Sequence, residues 1–327
     1  MKRSRKNAIS SIFALILVAT TFGPRAFAEE YPSRLIKIII PYTPGSPNDV
    51  IGRLIAPALA SRLGQPVIVE NRAGTGGMLG TRAVANAEAD GYTLLLTDCI
   101  NHVLAPAFYS NLSYDPMKSF VPISGIARTS WVMITDSSTP ASSLAEFIAY
   151  AKANPNKLNF GFGLATAPQI VGEFFKQATK TDILSVPYKG GAQAVTDMLA
   201  GRINLNFGTI ATLKSFIENR KLKALAVTSD QRSSDLPDVP TMRESGLPEL
   251  TLSFTVGLFA PARTPEAVVS RLNEEINRVM ERPDIKNALF KFGFQNGAGT
   301  RDDFVTSLLA DSEKWGPVAK GLGIKIE

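Results

Sequence analysis

The feature that most constrains the fold of this chain is an alternation. A short, nearly continuous apolar run is followed by a turn rich in Gly or Pro, and then by a stretch with helical spacing. Leu35 to Ile40 is such a run and is closed by Pro41; Asp49 to Leu63 then carries Val50, Leu54, Ala58 and Leu59 at helical intervals, with Gly64 as a stop signal. Pro66 to Glu70 predicts the next strand, Met78 to Asn86 a short helix, and Tyr92 to Thr97 a third strand. Strands without polar alternation are those buried on both faces, so the pattern predicts an α/β protein with parallel sheets covered by helices. A second series follows. It has strands at Trp131 to Thr135, Leu158 to Phe162, Ile183 to Val186, Ile203 to Phe207 and Ala224 to Thr228. Helices are expected at Leu144 to Asn154, Pro168 to Thr179 and Ala192 to Ala200, and amphipathic ones at Glu266 to Met280 and Asp302 to Lys320. Asp230 to Pro248 is rich in Ser, Pro and Asp and reads as a surface connection. Two such series imply two lobes with a cleft between them, and clefts of this kind are favoured small-molecule sites.

The first 28 residues have a different character. Lys2, Arg3, Arg5 and Lys6 precede an apolar stretch from Ile9 to Thr20, and Ala26-Phe27-Ala28 has the small-x-small form of a cleavage site. These are the parts of a secretory signal peptide, cleaved near Ala28. The apolar stretch is shorter than the roughly 20 residues that span a bilayer. Loss of its five basic residues, Arg25 included, takes the formal net charge from +6 to +1, so the basic balance is an export feature and no nucleic-acid footprint. The remainder is long enough for two domains.

Three loops join a strand to a helix start and could bind an anion through free backbone amides. The first is Tyr42 to Asp49, with Asn48 or Asp49 as the expected cap; the second is Gly161 to Pro168; the third is Pro187 to Gln193, where Lys189 could pair with an anion. Enzymatic readings fare worse. Cys99 and His102 are the only cysteine and the only histidine, too few for a typical zinc site and lacking an orienting partner for a nucleophile. Gly74 to Gly80 follows a strand but has Leu79 where a dinucleotide loop needs its third glycine. No catalytic role, metal or cofactor is expected.

In order and spacing, several segments resemble the solute-binding proteins of tripartite tricarboxylate transporters, the Bug or TctC-like family. They include Ile39 to Gly45, Val69 to Gly77, Asp90 to Leu95, Val186 to Gly191, Leu225 to Ser229, Leu236 to Thr241, Glu244 to Pro248, Ala260 to Pro265 and Lys314-Trp315. The resemblance implies a type II periplasmic binding fold, two α/β lobes around a hinged ligand cleft. Residues 29–126 and 253–327 would form the first lobe and 127–252 the second. It implies a periplasmic monomer that captures a small carboxylate-bearing ligand and hands it to membrane transporter components. The alternatives are a ligand sensor acting on a signalling partner, or a secreted hydrolase using Cys99 or His102. Carried over by position, the ligand-binding residues are Tyr42, Pro44, Ser46 and Asp49 from one lobe, with Ala165, Thr166, Tyr188 and Gly190 from the other. Ser46-Pro47 and Leu164-Ala165 depart from the residues usual at those loop positions.

Overall fold

The computed structural model describes residues 31–324, apart from the side chain of Phe254, so the expected signal peptide lies outside the described residues. Strand β1 (Ile36–Ile40) is flanked by β2 (Val67–Asn71) and β3 (Thr93–Asp98), both parallel to it. Ile36, Ile38, Ile39 and Ile40 are essentially solvent-free, which is why the run shows no polar alternation. Helix α1 (Pro47–Leu63) returns from β1 toward β2. It begins two residues earlier than its hydrophobic spacing predicts. Ser46 is the cap in place of Asn48 or Asp49: its Oγ accepts from the Asp49 amide, and Pro47 occupies the first turn. Gly64 ends it at φ 69°, and its amide returns to the Ala60 carbonyl.

After a 3-10 turn at Thr75–Gly77, α2 (Met78–Ala85) leads toward β3, and α3 (Cys99–Phe108) follows β3 directly. Then the parallel expectation fails. β4 (Phe120–Asp136) is a single strand of 17 residues, and it runs antiparallel to β9 (Ser253–Pro261), which is itself antiparallel to β3. Along β4 the partner changes. Phe120 to Ser130 pair with β9, whereas Trp131 to Asp136 pair with β7 (Asn206–Thr209) and β8 (Leu222–Val227), again antiparallel. One strand therefore threads both halves of the eight-stranded sheet, an arrangement that local hydrophobic pattern cannot reveal.

The second half adds α4 (Leu144–Ala153) and a separate parallel pair, β5 (Asn159–Gly163) and β6 (Leu184–Tyr188). Helix α5 (Ala167–Thr179) follows β5, α6 (Gly191–Leu199) follows β6, and α7 (Ile210–Glu218) follows β7. Helices α8 (Glu266–Met280), α9 (Pro283–Lys291) and α10 (Arg301–Gly321) close the chain, with the short β10 (Gln295–Asn296) on β4. Gly172 in α5 lets the helix lie directly on Phe160 of β5: a Cβ there would come within 1.9 Å of the ring. That contact fixes the height of α5 above the strand whose end carries the second loop.

Candidate functional site

The carboxyl ends of β1, β3, β5 and β6 open on one cavity of about 640 Å³. Tyr42, Ser46, Pro47 and Asn48 line it from the β1–α1 loop, and Gly74 to Gly77 from the loop after β2. Asp98 and Asn101 enter from the β3–α3 junction. The opposite side is formed by Gly163 to Thr166, by Lys189 to Gly191, and by Trp131, Asn206 and Phe207. Open α/β sheets place ligands at this end of their strands.

Each loop is held by its own hydrogen bonds. In the first, Asp49 is almost fully buried and faces inward. Its Oδ2 accepts from the Gly45 amide at 2.8 Å, and its Oδ1 accepts from Arg53 Nε and Asn71 Nδ2, both at 2.9 Å. Burial alone would raise its pKa; the Arg53 guanidinium, the Gly45 amide and Asn71 outweigh that and hold it below the usual carboxylate range. Asp49 is thus a pin for the loop, and it does not line the cavity. Tyr42 points inward, its hydroxyl 3.3 Å from Thr97 Oγ1, and burial pushes its pKa well above the ordinary tyrosine value. In the loop after β2, the Gly77 amide closes onto the Gly74 carbonyl, and Tyr109 donates to the Thr75 carbonyl at 2.8 Å.

The two helix starts on the far side differ. At α5 the Thr166 hydroxyl donates to the Gly163 carbonyl at 2.6 Å and caps nothing. The Ala165 amide donates to Gln169 Oε1 at 3.0 Å, the Ala167 amide donates to Asn101 Oδ1, and Pro168 has no N–H. At α6 the cap position is Gly190, in extended geometry, and no side chain caps the helix. Lys189 stands exposed beside it.

Five of the eight residues expected to bind ligand, Tyr42, Ser46, Ala165, Thr166 and Gly190, therefore line one cavity. Pro44, Asp49 and Tyr188 do not line it. Pro44 sits on the exposed outer side of its turn. The Tyr188 hydroxyl is committed to Asp197 Oδ2 at 2.7 Å. Asp98, Asn101, Trp131, Asn206 and the Gly74 to Gly77 loop were not singled out as ligand contacts from sequence. A readable signal existed for Asp98 alone: an acidic residue at the end of an apolar strand is a helix cap in waiting.

Cys99 and His102 do not form a catalytic pair. Cys99 is buried against Gly257 of β9, and burial drives its thiol well above the ordinary value, the opposite of what a nucleophile needs. His102 lies among Tyr114, Phe120 and Phe259, with Nε2 2.9 Å from the Pro116 carbonyl oxygen. Burial pushes its pKa down to about 4, so the ring is neutral at physiological pH.

Comparison with known proteins gives one answer. Residues 51–324 match the tripartite tricarboxylate transporter family receptor, TctC. Protein BugT of Bordetella pertussis is 32% identical over 329 residues, covering 100% of both chains. Among solved structures, Rpa4515 of Rhodopseudomonas palustris with adipate superposes at TM-score 0.83 and 31% identity, over 91% of this chain and 100% of that one. MatC of the same organism, with bound malate, superposes at TM-score 0.80 and 28% identity, over 88% and 100%.

Proposed function

This chain belongs to the tripartite tricarboxylate transporter receptor family, periplasmic solute-binding proteins and not enzymes, and on that footing we propose that it captures a small carboxylate for a transporter in the membrane. The observation that carries the reading is the α6 start. Its uncapped amides at Gly190 and Gly191, with Lys189 alongside, open onto a cavity large enough for an organic acid. Helix N-termini favour negative charge through unpaired N–H groups and the helix dipole. Tyr42, Ser46, Ala165 and Thr166 complete the walls around such a ligand. Two neighbours with bound dicarboxylates, malate and adipate, support the ligand class.

In this reading the lobes are residues 29–126 with 253–327, and 127–252. The change of partner along β4 at Ser130 and Trp131 supports a hinge there. A ligand touching both lobes favours the closed state by its differential affinity, and the closed form engages the transporter. The chain would reach the periplasm by way of its first 28 residues, cleaved near Ala28, and would act as a monomer.

The test is a thermal-shift panel of carboxylates and their uncharged amides, after unfolding and refolding to strip carried-over ligand. A ligand at about 100-fold above its Kd adds about 2.7 kcal/mol and raises Tm by several degrees. A shift with an acid and none with its amide is the expected result. Equal shifts with both would sink carboxylate capture. Co-purification with two membrane components encoded nearby is the expected result for transport; binding to a sensor kinase alone would replace that part of the reading.

A further inference from the structure

Four carboxylates are almost fully buried among the described residues, Asp49, Asp98, Asp136 and Glu275, and three of them have both oxygens paired. Asp49 is held by Gly45, Arg53 and Asn71. Asp136 receives Ser138 and Thr139 on Oδ1, and Thr139 and Asn204 on Oδ2. Glu275 sits among Arg62, Arg271 and Arg278. Asp98 is the exception and the one of the four that lines the cavity. Its Oδ1 caps α3, accepting from the Ile100 amide at 2.9 Å and the Asn101 amide at 3.3 Å, while Oδ2 has no hydrogen-bond partner among the described residues. Asn48 lines the same cavity at 4% exposure, and its Oδ1 is buried and unpaired. Its terminal amide torsion is soft, so that oxygen can turn toward a ligand.

Unpaired acceptors are the wrong lining for a bare polycarboxylate, which brings only more acceptors. They suit a ligand that brings a donor. We propose that the cavity selects carboxylates that also carry a hydroxyl or ammonium group, and that Asp98 Oδ2 and the Asn48 carboxamide read that donor. The inference rests on the carboxylate-capture reading and adds the second feature of the ligand. Burial pushes the Asp98 carboxyl up to about 7, with Asp311 of α10 adding to the rise, so the group stands to gain from a donor placed against it. A site built to bond a donor rejects the analogue lacking it strongly, because its own buried acceptor is then left unsatisfied.

Calorimetry on the refolded protein at pH 8, where Asp98 is ionised, tests this with succinate, malate, aspartate and malamide. Malate or aspartate should bind at least about tenfold more tightly than succinate, and which of the two leads tells hydroxyl from ammonium. Asp98→Asn keeps the cap oxygen and turns the free oxygen into a donor. It should bring the preference over succinate to within about threefold. Asn48→Ala, which leaves the α3 cap untouched, should reduce it by about threefold. Succinate binding as well as both donors in the wild type overturns the inference, as does an unchanged preference in both variants. Equal tightening of every acid by Asp98→Asn also overturns it, since Asp98 would then merely repel anions. Malamide binding as tightly as malate overturns the carboxylate reading beneath it instead, and no binding by any of the four overturns both.

Discussion

Helices α5 and α6 begin in closely matched settings and end up in opposite states. Each follows a strand of the same parallel pair, each starts from a Gly-containing loop, and both loops face one cavity. Neither start carries a side-chain cap from its own cap residue. Yet the α5 start is filled by the protein itself, through Asn101 on the Ala167 amide and Gln169 on the Ala165 amide, while the α6 start is open. The difference teaches that a strand-to-helix loop sets only the capacity for anion binding. Whether the capacity is used by a ligand depends on what the rest of the chain brings to it.

The largest effect that could break this contrast acts from below Asn101, the side chain that plugs the α5 start. Asn101 rides on α3, whose next residue, His102, is fixed to the Pro116 carbonyl. His102 is held neutral by burial, with its pKa moved from the ordinary 6.5 down to about 4. Between those values the unfolded chain binds the proton and the folded one does not, so this group's contribution falls as pH drops from 6.5 toward 4 and is intact above 6.5. The shift corresponds to a loss of about 3 kcal/mol. Asp98 and Asp311 have raised values, about 7 and about 6, and so push stability the other way over the same range. The quantity to measure is therefore the difference between wild type and His102→Phe. From pH 7 to pH 4.5 the variant should gain on the wild type by a few kcal/mol in urea unfolding. A pH-independent difference would mean that the folded ring titrates like the unfolded one and that burial does not lower its pKa.

Next in size is the open helix end. Gly191→Pro removes the first α6 amide but suits the first helical position, and the preceding Gly190, at φ −168° and ψ 156°, has the extended geometry that proline demands. A side chain grafted at Gly191 meets nothing within 4 Å. Stability should be kept while carboxylate affinity falls about tenfold, the worth of one charge-assisted bond. Full affinity in this variant would move the anion site away from α6.

The parts of this arrangement that sequence could foretell are the local ones. The isoleucine run of β1 and the αL stop at Gly64 are set by burial and by backbone freedom within a few residues, and both are readable. The α3 helix is harder to read, because Pro106 interrupts its helical pattern. The antiparallel courses of β4 and β9 depend on pairing partners more than 100 residues apart. The same holds within the site. Tyr42 and Gly190 were placed by loop position, whereas Asn101 reaches an amide 66 residues away, and no spacing rule contains that approach. Asp49 stays out of the cavity lining for a related reason: Arg53 and Asn71 claim its carboxylate, and only the fold brings Asn71 near.

Asn101→Ala tests the plug directly. It removes one bond and leaves the Ala167 amide without its acceptor, a loss of about 1 kcal/mol, or roughly 2–4 °C in the Tm of the ligand-free protein. If saturating carboxylate restores most of that difference, the ligand has taken the vacated amide and α5 has become like α6. An unchanged Tm would show that the plug contributes nothing and that the contrast between the two helices is geometric only.

The smallest effect is expected at Lys189, and its size is itself informative. The side chain is exposed, so its pairing with a bound anion is screened and competes with water. Lys189→Gln keeps the stem and much of the donor capacity while removing the charge. Affinity for the carboxylate should fall by only about twofold to threefold. The wild type should also lose affinity between about 0.01 M and 0.15 M salt, and the variant should lose less. A drop approaching that of Gly191→Pro would mean that closure buries the ammonium against the ligand. The lysine would then hold the anion and the α6 amides would only orient it. Isothermal titration of the two variants at two salt concentrations separates these cases, because a short-range amide hydrogen bond depends less on ionic strength than the pairing of an exposed charge does.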